Sequence, residues 1–432
     1  MSNAYYSISS SPFLRKRECN ERIQQRNAND EVQSSSFSSN NVDMNITINT
    51  PASTNEFASI LILPVSGGAF VTQLAILKHL CDVEYRPNIT LASSGGNVAA
   101  YVASCSDWKS QGIDRVSNEL NSTYFAKCWH PLSCIAYFVG FLSGNLYKRG
   151  SGPEQFIRDN FHEDDIMKDE IWTGTYNHIK KKIRLFCNKN KSVLNMELVD
   201  LALTQCLAHV YMHGDVSLIS KVLIASASIP TVVPPQKITI NNEEEEYVDG
   251  GVAGASPLKT MQSPLIEYSK DKNVLLIYVS PIDLTCDTTT NNVMTKNNSI
   301  SDYSSSRTLL LPQPLVSHKT DSLSGNMISN IRGAVSDMVR SHTINDRING
   351  YEFLKSDSDT LIENIEEQTF TCCHENLLYA MTRARQSKKS LLEIYPIQCS
   401  QVDMINFNGR DVVDAINIVY GNCMCRLWTI KQ

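Results

Sequence analysis

Ser94 and Asp249 are the side chains of this chain whose surroundings in sequence suit them to act as a pair. Ser94 lies between a β-branched run, Asn88-Ile89-Thr90-Leu91, and a run of mostly small residues, Gly95-Gly96-Asn97-Val98-Ala99-Ala100-Tyr101. That order predicts a strand, a sharp turn and a helix. On such a turn the serine sits in a strained backbone conformation, and residues two before and two after it must be small so that strand and helix can approach. Ala92 and Gly96 meet that demand, and Ala92-Ser93-Ser94-Gly95-Gly96 reads as a G-x-S-x-G variant. A serine hydroxyl needs a base to take its proton, and a carboxylate serves if desolvation holds its pKa near the working pH. Asp249 is the candidate, because Glu246-Tyr247-Val248-Asp249-Gly250-Gly251-Val252 reads as a short strand ending in an aspartate that two glycines leave accessible. Asp-Gly is equally a hairpin signal, and the run Glu243-Glu244-Glu245-Glu246 before it reads as a solvated tip.

A third component of acyl chemistry is a pocket for negative charge on oxygen. The apolar strand Ile60-Leu61-Ile62-Leu63 runs into Pro64-Val65-Ser66-Gly67-Gly68 and then a predicted helix from Ala69 to Cys81. Amides at a helix N-terminus lack intrahelical acceptors and are partly positive, so they receive a developing oxyanion without a charged side chain. Gly67 and Gly68 are the candidate donors in this loop, and Gly95 is the candidate in the serine turn. A plain tight turn between strand and helix explains either loop taken singly.

Four motifs stand in order: the glycine loop, the serine turn, Ala225-Ser226-Ala227-Ser228-Ile229-Pro230 with Pro234-Pro235, and Tyr247-Val248-Asp249-Gly250-Gly251. Together they resemble a patatin-like phospholipase, from about Phe57 to Leu258 and more faintly in the C-terminal strand and helix. The resemblance implies a three-layer α/β fold with a mostly parallel sheet flanked by helices. It also implies a Ser-Asp dyad that hydrolyses acyl esters without a histidine, with Ser94 as nucleophile and Asp249 as base. The implied partner is a phospholipid or another acyl-ester lipid, with peripheral membrane contact, and no metal or other cofactor is called for. Where the family's loop usually reads G-G-G-x-R-G, this chain has Ser66-Gly67-Gly68-Ala69-Phe70-Val71. The altered loop leaves open a catalytically inactive module that binds lipid or a protein.

An ordinary Ser-Asp-His triad would instead place a histidine after Asp249 on a loop following a late strand. His318, His342 and His374 follow Asp249, but His342 and His374 fall on predicted helices and His318 in polar low-complexity sequence. Cys372-Cys373-His374 and Cys423-Met424-Cys425 invite a metal reading, yet neither has a partner pair at the spacing of zinc sites.

The elements that must hold these residues are legible in outline. Lys182-Ile183-Arg184-Leu185-Phe186, Val274-Leu275-Leu276-Ile277-Tyr278-Val279 and Leu391-Leu392-Glu393-Ile394-Tyr395 read as strands. Val216 to Ala227 and Arg410 to Tyr420 read as helices, and the alternation argues a mostly parallel sheet covered by helices. With 432 residues, 42% of them hydrophobic, the chain is long enough to bury one large catalytic domain, assigned to residues 57–432. Residues 1–56 are rich in Ser, Asn, Gln and charge and read as a disordered tail, and residues 286–323 read as a polar low-complexity insertion. The net charge of −6 gives no global attraction to nucleic acid, and Lys180-Lys181-Lys182 reads as a solvated face. No run of about 18 apolar residues and no signal-peptide core is present, so an intracellular location, cytoplasmic or peripheral to a membrane, is expected. Thirteen cysteines, an odd and scattered set, fit a reducing compartment. The most apolar segment, Leu132 to Leu142, reads as a buried helix or an interfacial element.

Overall fold

The computed structural model describes residues 56–119, 129–131, 147–149, 152–201, 205–230, 233–254, 256–282, 323–356, 365–397 and 412–430. These fall within one unit, Asn55–Gln432. The readings of residues 1–55 as a tail, of Leu132–Leu142 as an apolar element, of residues 286–322 as an insertion and of His318 lie outside the described residues.

An eleven-stranded mixed sheet organises the unit. Its strands are β1 (Glu56–Leu63), β2 (Ile89–Ser93), β5 (Glu170–Asn177), β6 (Lys182–Cys187), β7 (Val210–Tyr211), β8 (Gln236–Ile240), β9 (Glu243–Asp249), β10 (Lys272–Val279), β11 (Ile365–Thr371), β12 (Lys389–Pro396) and β13 (Cys423–Ile430), while β3 (Trp129–Pro131) and β4 (Tyr147–Arg149) form a separate antiparallel pair. The order is β11-β13-β12-β10-β1-β2-β5-β6-β7, with the β8–β9 hairpin attached to β5. The five central strands from β12 to β5 are mutually parallel. Antiparallel pairs close the sheet on either side.

Helices cover both faces: α1 (Phe70–Asp82), α2 (Gly95–Cys105), α3 (Ser110–Glu119), α4 (Gly152–Asn160), α5 (Glu163–Ile166), α6 (Val216–Ser226), α7 (Pro257–Thr260), α8 (Gln262–Tyr268), α9 (Leu323–Leu354), α10 (His374–Arg385) and α11 (Val412–Tyr420). Alternate residues of a strand face opposite sides, so one strand feeds two cores. In β10, Leu275, Ile277 and Val279 join the larger core with α1, α2 and α6, whereas Val274, Leu276 and Tyr278 join the smaller one with α8 and α9. Strands buried on both faces read as continuous apolar runs, which is why Ile60-Leu61-Ile62-Leu63 and Val274–Val279 stand out in the sequence. Most of the predicted strands and helices occur with ends within two residues, but β1 already begins at Glu56, β9 begins at Glu243 rather than Glu246, and α2 runs on past Tyr101 to Cys105.

The acidic run departs from its sequence reading. Glu243–Glu246 is an arm of the β8–β9 hairpin, whose turn is Asn241-Asn242, both at positive φ (51° and 67°). Glu243 and Glu244 are exposed, but Glu245 is buried. Its carboxylate accepts from Lys180 Nζ at 2.6 Å, from Arg184 Nη2 at 3.2 Å, from Asn177 Nδ2 at 3.1 Å and from the Tyr247 hydroxyl. Burial opposes this charge, but the bonds to Lys180 and Tyr247 and the Arg184 charge outweigh it and hold the carboxyl below its usual range. The network seats β9 on β5 and β6, just upstream of Asp249. Removing one partner of such a buried pair leaves the other charge uncompensated, so Glu245→Ala is expected to cost about 3–5 kcal/mol in urea unfolding. Lys181→Ala, on the exposed tip, is expected to change stability by less than about 0.5 kcal/mol.

Candidate active site

Strand register brings the serine and the aspartate together. Ser93 pairs with Gly174 across β2 and β5, and Thr175, the next residue of β5, pairs with Asp249 across β5 and β9. Both sites therefore meet over Gly174 although 155 residues separate them in sequence. Ser94 Oγ donates to Asp249 Oδ2 at 2.5 Å. Both residues are buried, Ser94 1% and Asp249 0% exposed.

The serine sits on the sharp turn its neighbours predict. Its backbone, φ 55° and ψ −135°, lies outside the regions open to L-residues without strain, and such strain persists only where surroundings over-determine it. Three contacts do so here. The Ser94 N–H donates to Ser226 Oγ at 3.0 Å, the Ser226 hydroxyl donates to Gly174 O at 2.7 Å, and the Asn97 carboxamide lies 2.6 Å from Ser226 Oγ. The Ser94 carbonyl accepts from the Asn97 N–H at 3.1 Å and so starts α2. A Cβ on Gly96 would sit 2.3 Å from Leu63 O, which explains the need for glycine two residues after the serine.

Glycines also bring the loop after β1 against this turn. A Cβ on Gly95 would lie 2.5 Å from Gly67 O and 2.6 Å from Ser66 Oγ. Residues Gly67–Ala69 form a 3₁₀ turn that runs directly into α1, with Gly67 at φ 51°, a conformation suited to glycine. The Gln73 side chain donates to Pro64 O at 3.1 Å and pins the start of the loop. Gly67, Gly68 and Gly95 thus occupy the first turns of two neighbouring helices, where amides have no intrahelical acceptor.

Asp249 ends β9, and no hairpin follows it. A 3₁₀ turn, Gly250–Ala253, begins there instead. The Asp249 N–H donates to Ser228 O at 2.9 Å, and Oδ1 accepts from the Gly251 N–H at 2.7 Å. Gly250 and Gly251 are required by space: a Cβ on the first would sit 2.8 Å from Gly174 O, and one on the second 2.8 Å from Val65 Cγ1. Desolvation lifts the Asp249 pKa to about 7, against the opposing pull of the Ser94 and Gly251 hydrogen bonds. A carboxylate so poised can accept a proton from an attacking hydroxyl at neutral pH.

The histidines take other roles. His342 lies on α9, with Nε2 2.6 Å from Gly251 O, so it touches the turn backbone rather than either member of the pair. His374 opens α10 and is exposed. Among the described residues, no group of three or more His, Cys, Asp or Glu side chains is arranged to hold a metal ion. Cys372, Cys423 and Cys425 are buried thiols where β11 meets β13.

Residues 65–261 match the patatin-like phospholipase family. The matched stretch runs from the glycine loop through the serine turn to Asp249 and on to α7, and the mostly parallel sheet flanked by helices agrees with a patatin-like α/β fold. Patatin-like proteins are in general lipid acyl hydrolases. Among solved structures, VipD from Legionella pneumophila is similar at 10% identity and a TM-score of 0.27, over 63% of this chain and 58% of that one. No curated protein matches the chain.

Sequence reasoning assigned no role to Ser226, Asn97 or Gly174, and considered His342 only as a triad histidine, which its helix disfavours. Ser226 stood in a quoted motif of small residues, but its partner Gly174 is 52 residues away and nothing local announces the bond. The close packing can be tested with two glycines. Gly96→Ala is expected to lower stability by about 1–3 kcal/mol, because the added methyl meets backbone. Gly333→Ala, on α9 with nothing within 4 Å, is expected to raise it by about 1 kcal/mol. Thermal unfolding of both variants reads the contrast.

Proposed function

We propose that the protein is a lipid acyl hydrolase working through a Ser94–Asp249 dyad. The observation that carries this reading is the 2.5 Å hydrogen bond from Ser94 Oγ to a buried carboxylate whose pKa is raised to about 7. The substrate class, a carboxylic ester of a lipid, rests on the patatin-like match.

In this mechanism Ser94 Oγ attacks the ester carbonyl carbon while its proton passes to Asp249 Oδ2. The carbonyl π pair moves onto oxygen, and the amides of Gly67, Gly68 and Gly95 receive that charge. Collapse of the tetrahedral intermediate breaks the carbon–oxygen bond to the alcohol, which takes the proton from Asp249. Water then attacks the acyl-serine, giving a proton to Asp249, and collapse of the second tetrahedral intermediate breaks the bond to Ser94 Oγ, which takes that proton back as the fatty acid leaves. Each step is a proton transfer or an acyl transfer between groups already present, and none requires a cation. Strain at Ser94 favours a fixed direction of attack, since the hydroxyl cannot retreat into an ordinary turn conformation.

Release of fatty acid from mixed phospholipid vesicles in EDTA is the direct test. The parent is expected to be active, with Ser94→Ala and Asp249→Asn each reduced at least about a thousandfold. A folded parent without activity across several lipids and esters would favour the lipid- or protein-binding alternative, in which replacement of the usual glycines by Ser66 and Val71 has closed the oxyanion site.

The base must be ionised to accept a proton, so kcat/KM is expected to rise with pH through a midpoint near 7. Stability has the opposite slope. The folded state keeps the Asp249 proton up to about 7 while the unfolded chain releases it near 3.8, so folding loses stability as pH rises across that window. Asp249→Asn removes the titration, and its stability relative to the parent is expected to improve from pH 4 to pH 7 and then level off, as read by urea unfolding at each pH.

A further inference from the structure

Two side chains of α9, one helical turn apart, reach the turn that carries Asp249. His342 Nε2 lies 2.6 Å from Gly251 O, and the Asp346 carboxylate accepts the Ser256 hydroxyl. Both are interior, 4% and 1% exposed, and the i,i+4 spacing puts them on one face of the helix. Between the two anchor points the chain turns outward, with Val252 and Gly254 exposed and Gly254 at φ 67°. The turn is thus held by side chains of α9 near both ends, with its own backbone bonds, Gly254 N–H to Gly251 O at 3.2 Å and Ser256 N–H to Gly254 O at 3.0 Å, between them.

Gly251 links this clamp to the base. A carbonyl only accepts, so His342 Nε2 carries the proton in that bond. Among the described residues Nδ1 is buried without a partner, and a charged imidazolium there would add an unsatisfied donor to the interior. The ring is therefore the neutral Nε2–H tautomer. The carbonyl of Gly251 accepts this bond and a longer one from the Gly254 N–H at 3.2 Å, while its own N–H donates to Asp249 Oδ1 at 2.7 Å. Fixing the first group limits how far the second can turn.

α9 is itself braced. Arg347 donates through Nε and Nη2 to Glu393 of β12, the Tyr278 hydroxyl of β10 donates to Thr343 O at 3.4 Å, and Lys389 of β12 lies 4.9 Å over the Phe353 ring. The helix connects two central strands to the Asp249 turn as a strut.

We propose that His342 and Asp346 are positioning residues that hold the Asp249–Ser256 turn, acting through Gly251 and Ser256 without touching substrate. The inference rests on the reading of Asp249 as general base. Without His342 the Gly251 carbonyl keeps only the longer bond from Gly254, the Gly251 N–H is held less firmly toward Oδ1, and the carboxylate is less well aligned on Ser94.

The test follows Asp249 directly, by carbon-13 NMR titration of the labelled carboxyl in the full chain, for the parent, His342→Ala and His342→Gln. His342→Ala is expected to move the Asp249 midpoint upward, because a hydrogen bond to the charged form is weakened. On a soluble ester it is expected to lower kcat by about ten- to a hundredfold with KM little changed, the cost of a misplaced catalytic group. His342→Gln, which keeps an N–H donor, is expected to recover most of both. An unchanged Asp249 midpoint in folded His342→Ala overturns the proposal, even if the melting temperature falls, since a merely structural role would lower stability and leave the titration in place. Should His342→Ala not fold, Ser256→Ala releases the other end by removing one hydroxyl and is judged by the same midpoint. The titration needs no substrate, so a parent without hydrolysis would count against the hydrolase reading while the midpoint still decides the clamp.

Discussion

A carboxylate withdrawn from water is costly unless hydrogen bonds compensate it, and Asp249 meets that demand with two donors. One is the Gly251 amide and the other is the Ser94 hydroxyl. Because burial rather than a nearby charge dominates its shift, the position of this group has to be exact in both the turn behind it and the serine in front. The strained backbone of Ser94, the close contacts at Gly95, Gly96, Gly250 and Gly251, and the Ser226 bridge are all ways of meeting that single geometric requirement.

The sheet supplies the stiffness. β2, β5 and β9 are neighbours, so hydrogen-bonded register rather than loop packing sets the distance between serine and aspartate. The ion-pair network around Glu245 and the apolar residues on both faces of β1 and β10 fix that register from either side. A one-residue slip of β9 on β5 would turn the Asp249 side chain to the opposite face, which the buried contacts of Glu245 and Tyr247 oppose.

Much of this was legible in the sequence because it is written locally. Strands buried on two faces appear as unbroken apolar runs, a serine turn needs small residues at fixed offsets, and an aspartate before two glycines advertises a tight turn. Readings failed where meaning depends on residues brought close only by folding. Glu245 looks like its three acidic neighbours until Arg184 and Lys180 are brought alongside it. Ser226 looks like any serine at the end of a helix, and His342 sits in a helix whose pattern gives no sign that Gly251 lies opposite. The hairpin reading of Asp-Gly was displaced in the same way, since Asn241-Asn242 already makes the reversal seven residues earlier.

The pairing of β1 with β10 sets an order of assembly. Glu56 lies beside Lys272 in a parallel ladder, and β10 in turn lies beside β12, which begins at Lys389. The centre of the sheet therefore waits for chain more than two hundred residues downstream, and pairings of such long range form slowly. At about 5–20 residues per second, a ribosome would expose β1 and the serine turn well before the strand that carries Asp249. During that interval the nascent chain carries the serine turn without the carboxylate it will meet, together with an apolar central strand whose edge has no partner from the later sequence. A chain built this way can bring Ser94 and Asp249 together only after β9 has been made, and it completes the centre of its sheet only after β12.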